Sequence, residues 1–151
     1  GGVYGDREAS LQRFADTYGG LDRAVKRRLV IENDDVRFRL TDCLRVSART
    51  GIPVVFDYLH DRVLPSPSHL SEKLDAAAAT WKKADGPPIL HYSSQQPGAR
   101  KGSHAQTVDI RDVRRFLRHV FDRRVDIMLE IKDKEVSALK VLSLINGVGP
   151  R

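Results

Sequence analysis

The chain has 151 residues, a formal net charge of +6, and is 40% hydrophobic and 30% charged. Those proportions exclude a disordered tail, and no apolar run approaches the roughly 18 residues of a bilayer span, so no membrane partner is expected. The basic excess favours a polyanionic partner, nucleic acid first, while the single Cys43 rules out an internal disulfide framework and suits a reducing, cytoplasmic setting.

The chain opens on Gly1-Gly2-Val3-Tyr4-Gly5-Asp6, with neither a methionine nor a leading strand, and reads as a cut. Asp6 is placed to cap a helix that carries Leu11, Phe14, Ala15 and Tyr18 on one face and stops at Gly19-Gly20. Asp22 starts a short basic helix leading into an apolar run at 29–33, read as a strand buried on both faces. Thr41 is the expected cap of a helix bearing Leu44, Val46 and Ala48, closed by Gly51, and Pro53 opens the next strand. After Leu64-Pro65-Ser66-Pro67, Ser68 is the expected cap of a helix over 70–83. A strand follows at 89–93, a polar loop at 94–104, and a helix capped by Asp109 with Val113, Phe116, Leu117 and Val120 inward. The last strand is expected at 125–131 and the last helix at 134–144, before Gly147-Val148-Gly149-Pro150 frays.

Strands alternating with helices at about 30-residue spacing imply a parallel sheet. A doubly wound sheet calls for a Gly-rich phosphate turn after its first strand, which is absent here. A (β/α)8 TIM barrel of roughly 250 residues fits better, and this chain is about half of one. The expected fold class is therefore α/β, the carboxyl-terminal half of a barrel with four parallel strands, forming one partial domain over 1–151. A half-barrel leaves two sheet edges and an uncovered apolar inner face. Alone, the chain is expected to aggregate or dimerise.

Each apolar run ends in a hard-oxygen or imidazole group. The run at 29–33 delivers Glu32, 53–56 delivers Asp57 and His60, 89–90 delivers His91, and 127–129 delivers Glu130; His104 sits in the loop after His91. One such residue alone is more often a cap or a hydrogen-bonding group. Six on four strand ends point to a divalent-metal site of the Mn²⁺, Zn²⁺ or Fe²⁺ kind, without the thiolates of structural zinc. Clustered carboxylates are expected to raise one another's pKa while no metal is bound. His69 and His119 read as structural or exposed.

Six motifs, taken together, resemble the UV damage endonucleases: Gly-Gly-Val-Tyr-Gly-Asp at 1–6, Ile-Glu-Asn-Asp-Asp at 31–35, Phe-Asp-Tyr-Leu-His at 56–60, His-Tyr-Ser-Ser at 91–94, Ser-His at 103–104 and Met-Leu-Glu-Ile-Lys-Asp-Lys-Glu at 128–135. The resemblance implies a metal-dependent barrel nuclease that nicks double-stranded DNA 5′ to pyrimidine dimers, 6-4 photoproducts and some abasic sites. It implies two or three divalent cations, Mn²⁺ first and Mg²⁺, Zn²⁺ or Co²⁺ as alternatives, on Glu32, Asp57, His60, His91, His104 and Glu130. Glu32, Glu130 and His91 would be the catalytic members. Two departures stand out. Leu59 and Asp61 flank His60 where many members run histidines together, and the upstream histidines and lesion-probing side chains of the family would precede Gly1. The complete enzyme is expected to be a monomer, with the missing amino-terminal half required for incision.

Tyr4, Tyr92, Gln95, Gln96, Arg100, Lys101 and Lys132 are the expected DNA contacts, mostly to the backbone. Two rivals remain at this point. One is a metal-dependent sugar-phosphate isomerase on the same barrel, which leaves the basic balance unexplained; the other is an inactive binding half-barrel.

Overall fold

The computed structural model describes residues 2, 3 and 5–147. Tyr4 and, of the end expected to fray at 147–150, residues 148–150 lie outside them, while Gly147 belongs to the last helix rather than to a frayed end. Four parallel strands form one sheet in chain order: β1 (Ile31–Glu32), β2 (Val54–Asp57), β3 (Ile89–Tyr92) and β4 (Asp126–Leu129). The helices between and around them are α1 (Arg7–Gly19), α2 (Arg23–Lys26), α3 (Leu40–Thr50), α4 (Tyr58–Val63), α5 (Leu70–Ala78), α6 (Ile110–Val120) and α7 (Glu135–Gly147). This is the α/β half-barrel the alternation implied.

The helix that opens the chain starts where its cap is encoded: the Asp6 carboxylate accepts from Ala9 N at 3.0 Å. Asp109 caps α6 in the same way, accepting from Arg111 N and Asp112 N. Gly51 ends α3 in the left-handed region at φ 74° and donates to Ser47 O, the geometry that favours glycine there.

Four expectations are corrected. The first strand is two residues long, and Leu29 and Val30 are 36% and 41% exposed rather than buried on both faces. Among the described strands β1 pairs only with β2, so its outer edge has no ladder to bury it. Thr41 lies inside α3, whose cap position is Arg39; there the Asp42 carboxylate turns back to accept from Arg39 N at 3.0 Å. Ser68 takes a positive φ of 98° instead of capping, and α5 begins after His69, whose N–H donates to Glu72. That helix stops at Ala78, followed by a 3-10 turn at Lys83–Asp85.

The sheet sorts its side chains by parity. Val54, Phe56, Leu90 and Tyr92 point to the helical layer and join Leu40, Leu74, Val113 and Phe116 in the main core. A smaller cluster of Leu11, Tyr18, Val46 and Ile52 packs α1 on α3. On the remaining surface, Met128, Val136, Leu139 and Leu142 are each about half exposed or more.

A buried ion pair ties the α4–α5 connection. Lys73 Nζ lies 2.6 Å from Asp61 Oδ2, while Asp61 Oδ1 accepts from Ser66 N. Their side chains are only 9% and 8% exposed, so removing the cation strands a carboxylate. Lys73→Met is expected to cost about 3–5 kcal/mol, measured by urea unfolding. A cost below about 1 kcal/mol would show that water reaches Asp61.

Candidate metal centre

Register and parity together decide where the strand-end groups point. Glu32 pairs with Val55, and Asp57, two residues on, shares that face. Asp57 pairs with His91 and His91 with Met128, so Glu130, two beyond Met128, falls on the same face again. The site thus advances four residues along the strands between β1 and β4, two at β2 and two at β4, the stagger of a closing barrel. That stagger brings Glu32 and Glu130 to one level around Asp57 and His91.

All six predicted residues meet there. Glu32 Oε1 lies 3.1 Å from His60 Nδ1, and Glu32 Oε2 lies 3.2 Å from His91 Nδ1. Glu130 Oε1 is 3.4 Å from the same His91 nitrogen, and Glu130 Oε2 is 3.8 Å from His104 Nε2. His60 Nδ1 is 3.7 Å from Asp57 Oδ1, which also accepts from His60 N at 2.6 Å as the cap of α4. That short helix, absent from the sequence reading, is what returns His60 over the end of β2.

The electrostatics differ from mutual carboxylate repulsion. Burial works against ionising Glu32, but hydrogen bonds and charge from His60 and His91 prevail and hold its pKa at about 2. The expectation that each carboxylate would be raised therefore fails at Glu32. Asp57 is raised to about 6, chiefly by burial, with the Glu32 and Glu130 charges adding a smaller push. His60 rises to about 9 through its contact with Glu32, and His91 is raised by the same carboxylate.

The buried Asp57 Oδ2 has no hydrogen-bond partner, and the buried His91 Nδ1 is met only by the carboxylates of Glu32 and Glu130. Glu32, Asp57 and His91 each offer a ligand atom within 4.8 Å of the others. Oxygen and imidazole donors converging beside an unpartnered buried carboxylate oxygen fit a borderline or hard divalent cation.

The expected DNA contacts divide. Tyr92 is fully buried, its hydroxyl 3.0 Å from Asp112 Oδ2 and its ring packed on Tyr58 and Phe116, so it offers DNA no surface. The cause is parity: Tyr92 faces away from His91. Gln95 donates to Gln96 O and Arg100 O and accepts from Gly102 N. Gln96 accepts from Gln106 N; both amides hold their own loop. Arg100 pairs with Asp35 at 3.0 Å, whereas Lys101 and Lys132 are exposed. The sequence reading missed two residues that shape the site. One is Asp35, packed so closely that a Cβ at Gly102 would lie 2.1 Å from its Oδ2. The other is Asn33, buried between β1 and β2.

The family description UV-endonuclease UvdE matches residues 1–149. The chain belongs to this family. It is 37% identical over 150 residues to a UV DNA damage endonuclease of Clostridium perfringens (strain 13 / Type A), covering 98% of this chain and 36% of that protein. A UV DNA damage endonuclease of Bacillus cereus (strain Q1) is 34% identical over 98% of this chain and 48% of its own length. The solved structure described as SacUVDE superposes with a TM-score of 0.92 at 43% identity, over 98% of this chain and 50% of that one. The chain thus spans half or less of the relatives it matches. Within that family the chain is a half-barrel with a Glu/Asp/His cluster at its strand ends.

The pKa shifts give the metal-free UvdE cluster a definite pH response. His60 stands at about 9 against an ordinary 6.5, so its contribution to stability is full below pH 6.5 and is lost as pH rises through 9. Asp57, at about 6 against 3.8, adds a cost that grows as pH rises from 3.8 through 6. The urea midpoint of the metal-free chain is therefore expected to fall between pH 6.5 and 9. Any divalent cation the cluster takes up should bind more tightly over the same window, because these groups must shed their protons to ligate it. A midpoint flat across that window would contradict the His60–Glu32 pairing.

Proposed function

We propose that this chain is the metal-bearing half of a nuclease that hydrolyses DNA on the 5′ side of pyrimidine dimers, 6-4 photoproducts and abasic sites. The observation that carries this reading is the convergence of six carboxylate and imidazole side chains at the strand ends, with the buried Asp57 Oδ2 left without a partner. The relatives named for UV DNA damage supply the substrate class. Glu32, Asp57, His60, His91, His104 and Glu130 would hold two or three divalent cations, Mn²⁺ first, with Mg²⁺, Zn²⁺ or Co²⁺ as alternatives. Such cations lower the pKa of a bound water and neutralise charge on a phosphodiester.

The protein's own part is to place these groups and to draw in the duplex. Glu32 and Glu130 flank His91 from opposite sides, so the two outer strands close on one point. Lys101 and Lys132, free of ion pairs among the described residues, reach phosphates from the rim. Arg100 serves first to lock its loop to Asp35. The lesion-probing groups belong to the remainder of the barrel, which incision also requires, and the complete enzyme acts as a monomer.

The test joins this chain to the share of SacUVDE that it does not cover. The chimera should nick ultraviolet-irradiated duplex 5′ to the lesion only when a divalent cation is present. Glu130→Gln should lower the rate by more than the roughly 10–100-fold typical of an outer-shell partner. Incision that survives chelation would defeat the metal reading. In the same chimera, replacing Lys101 and Lys132 by Ala should weaken damaged and undamaged DNA alike, reducing the salt slope by roughly one to two units. A selective loss of lesion preference would show instead that these side chains read damage.

A further inference from the structure

We infer that Asn33 is the positioning residue of the metal centre, fixing the end of β2 and engaging His60 Nδ1 so that Nε2 is left to bind a cation. The inference rests on the metal reading above and adds a residue to it. Asn33 is 1% exposed, a costly place for an amide unless each polar group is matched.

The matching is complete and specific. Asn33 Nδ2 donates to Asp57 O at 3.0 Å, and Asp57 N donates to Asn33 Oδ1 at 2.9 Å. The backbone pairing of β1 with β2 stops at Glu32 and Val55, so the N–H and C=O of Asp57 have no strand beside them on that edge. The carboxamide supplies the same donor and acceptor a peptide would, and so extends the ladder by one rung. Aspartate would offer no donor and leucine neither group. Asp57, fully buried, is thereby held with its carboxylate in the cluster.

The backbone of Asn33 performs the second task. Its carbonyl lies 2.9 Å from His60 Nδ1, and Glu32 Oε1 lies 3.1 Å from the same nitrogen. Both neighbours are acceptors, so Nδ1 carries the proton and Nε2 is the nitrogen left for a ligand bond. Side chain and carbonyl of one residue thus set the orientation of two neighbouring ligands.

The experiment compares the chain with Asn33→Asp, which keeps the size and the acceptor but loses the donor. Mn²⁺ affinity by calorimetry should weaken on the order of 10–100-fold, beyond what the variant's shift in metal-free melting accounts for. Equal affinity in the two proteins would overturn the role of Asn33 while leaving the metal centre intact. A parent chain that takes up no divalent cation would overturn the metal reading and this inference with it. Should the variant fail to fold, nitrogen-15 spectra of the Zn²⁺-loaded parent decide the question. They should show His60 protonated at Nδ1 and metal-bound at Nε2, and the opposite tautomer would refute the assignment.

Discussion

A carboxylate with no exposed surface has to be compensated, and the site is arranged around that requirement at Asp57. One of its oxygens caps α4 through His60 N, and the other has no partner. Its backbone is tied to Asn33 on one side and in register with His91 on the other. Burial raises its pKa to about 6, so near neutrality the metal-free centre holds a largely ionised acid with half its hydrogen-bonding capacity unused. A packed core does not keep such a group without return. A cation at the unpartnered oxygen would supply it, and the surrounding groups are disposed accordingly.

The distribution of charge supports that view. Glu32 is held at about 2 by two imidazoles, and His60 and His91 are raised in return. Glu32 is thus held ionised, with the two imidazoles beside it raised toward their charged form. A divalent cation taken up by this cluster would displace protons from its ligands. The contacts made by Glu32 on His60 and His91 tie the three side chains together.

Much of this arrangement was legible in the chain. The four apolar runs and the polar group ending each one were readable because a strand in a parallel sheet offers its carboxyl end to a cleft. The six ligand candidates were found for that reason, and they meet. Tyr92 was misread because adjacency to His91 was taken as proximity. Parity along 89–92 places Leu90 and Tyr92 together in the core and His91 opposite them, which the alternating pleat alone would have shown. The short strand β1 was overextended because Leu29 and Val30 look like core, although burial at a sheet edge depends on a neighbour the local sequence does not reveal. Helix α4 escaped notice because Asp57 ends a strand and caps a helix with no loop between. Asn33 was unreadable for a different reason. Its partners are the backbone of Asp57 and the ring of His60, and only the fold brings distant backbone within its reach.

The ligand candidates also differ in how firmly they are held. Glu32, Asp57 and His91 sit on or at the ends of paired strands, and ladder hydrogen bonds fix their Cα positions. His104 belongs to a loop built from its own side chains: Gln95 bonds to Arg100 O and Gly102 N, an isolated antiparallel bridge pairs Gln95 with His104, and Asp35 clamps Arg100 from β1's side of the rim. Gly102, at φ 84°, permits the two loops to touch. Groups carried on strands are placed more tightly than groups carried on loops, and the His104–Glu130 separation of 3.8 Å is the longest of the ion pairs in the cluster. The strand-borne members are thus the rigid part of the cluster, and His104 is its loop-borne member. Arg100, on that same loop and anchored on Asp35, ties the rim beside Lys101 to the segment that carries His104.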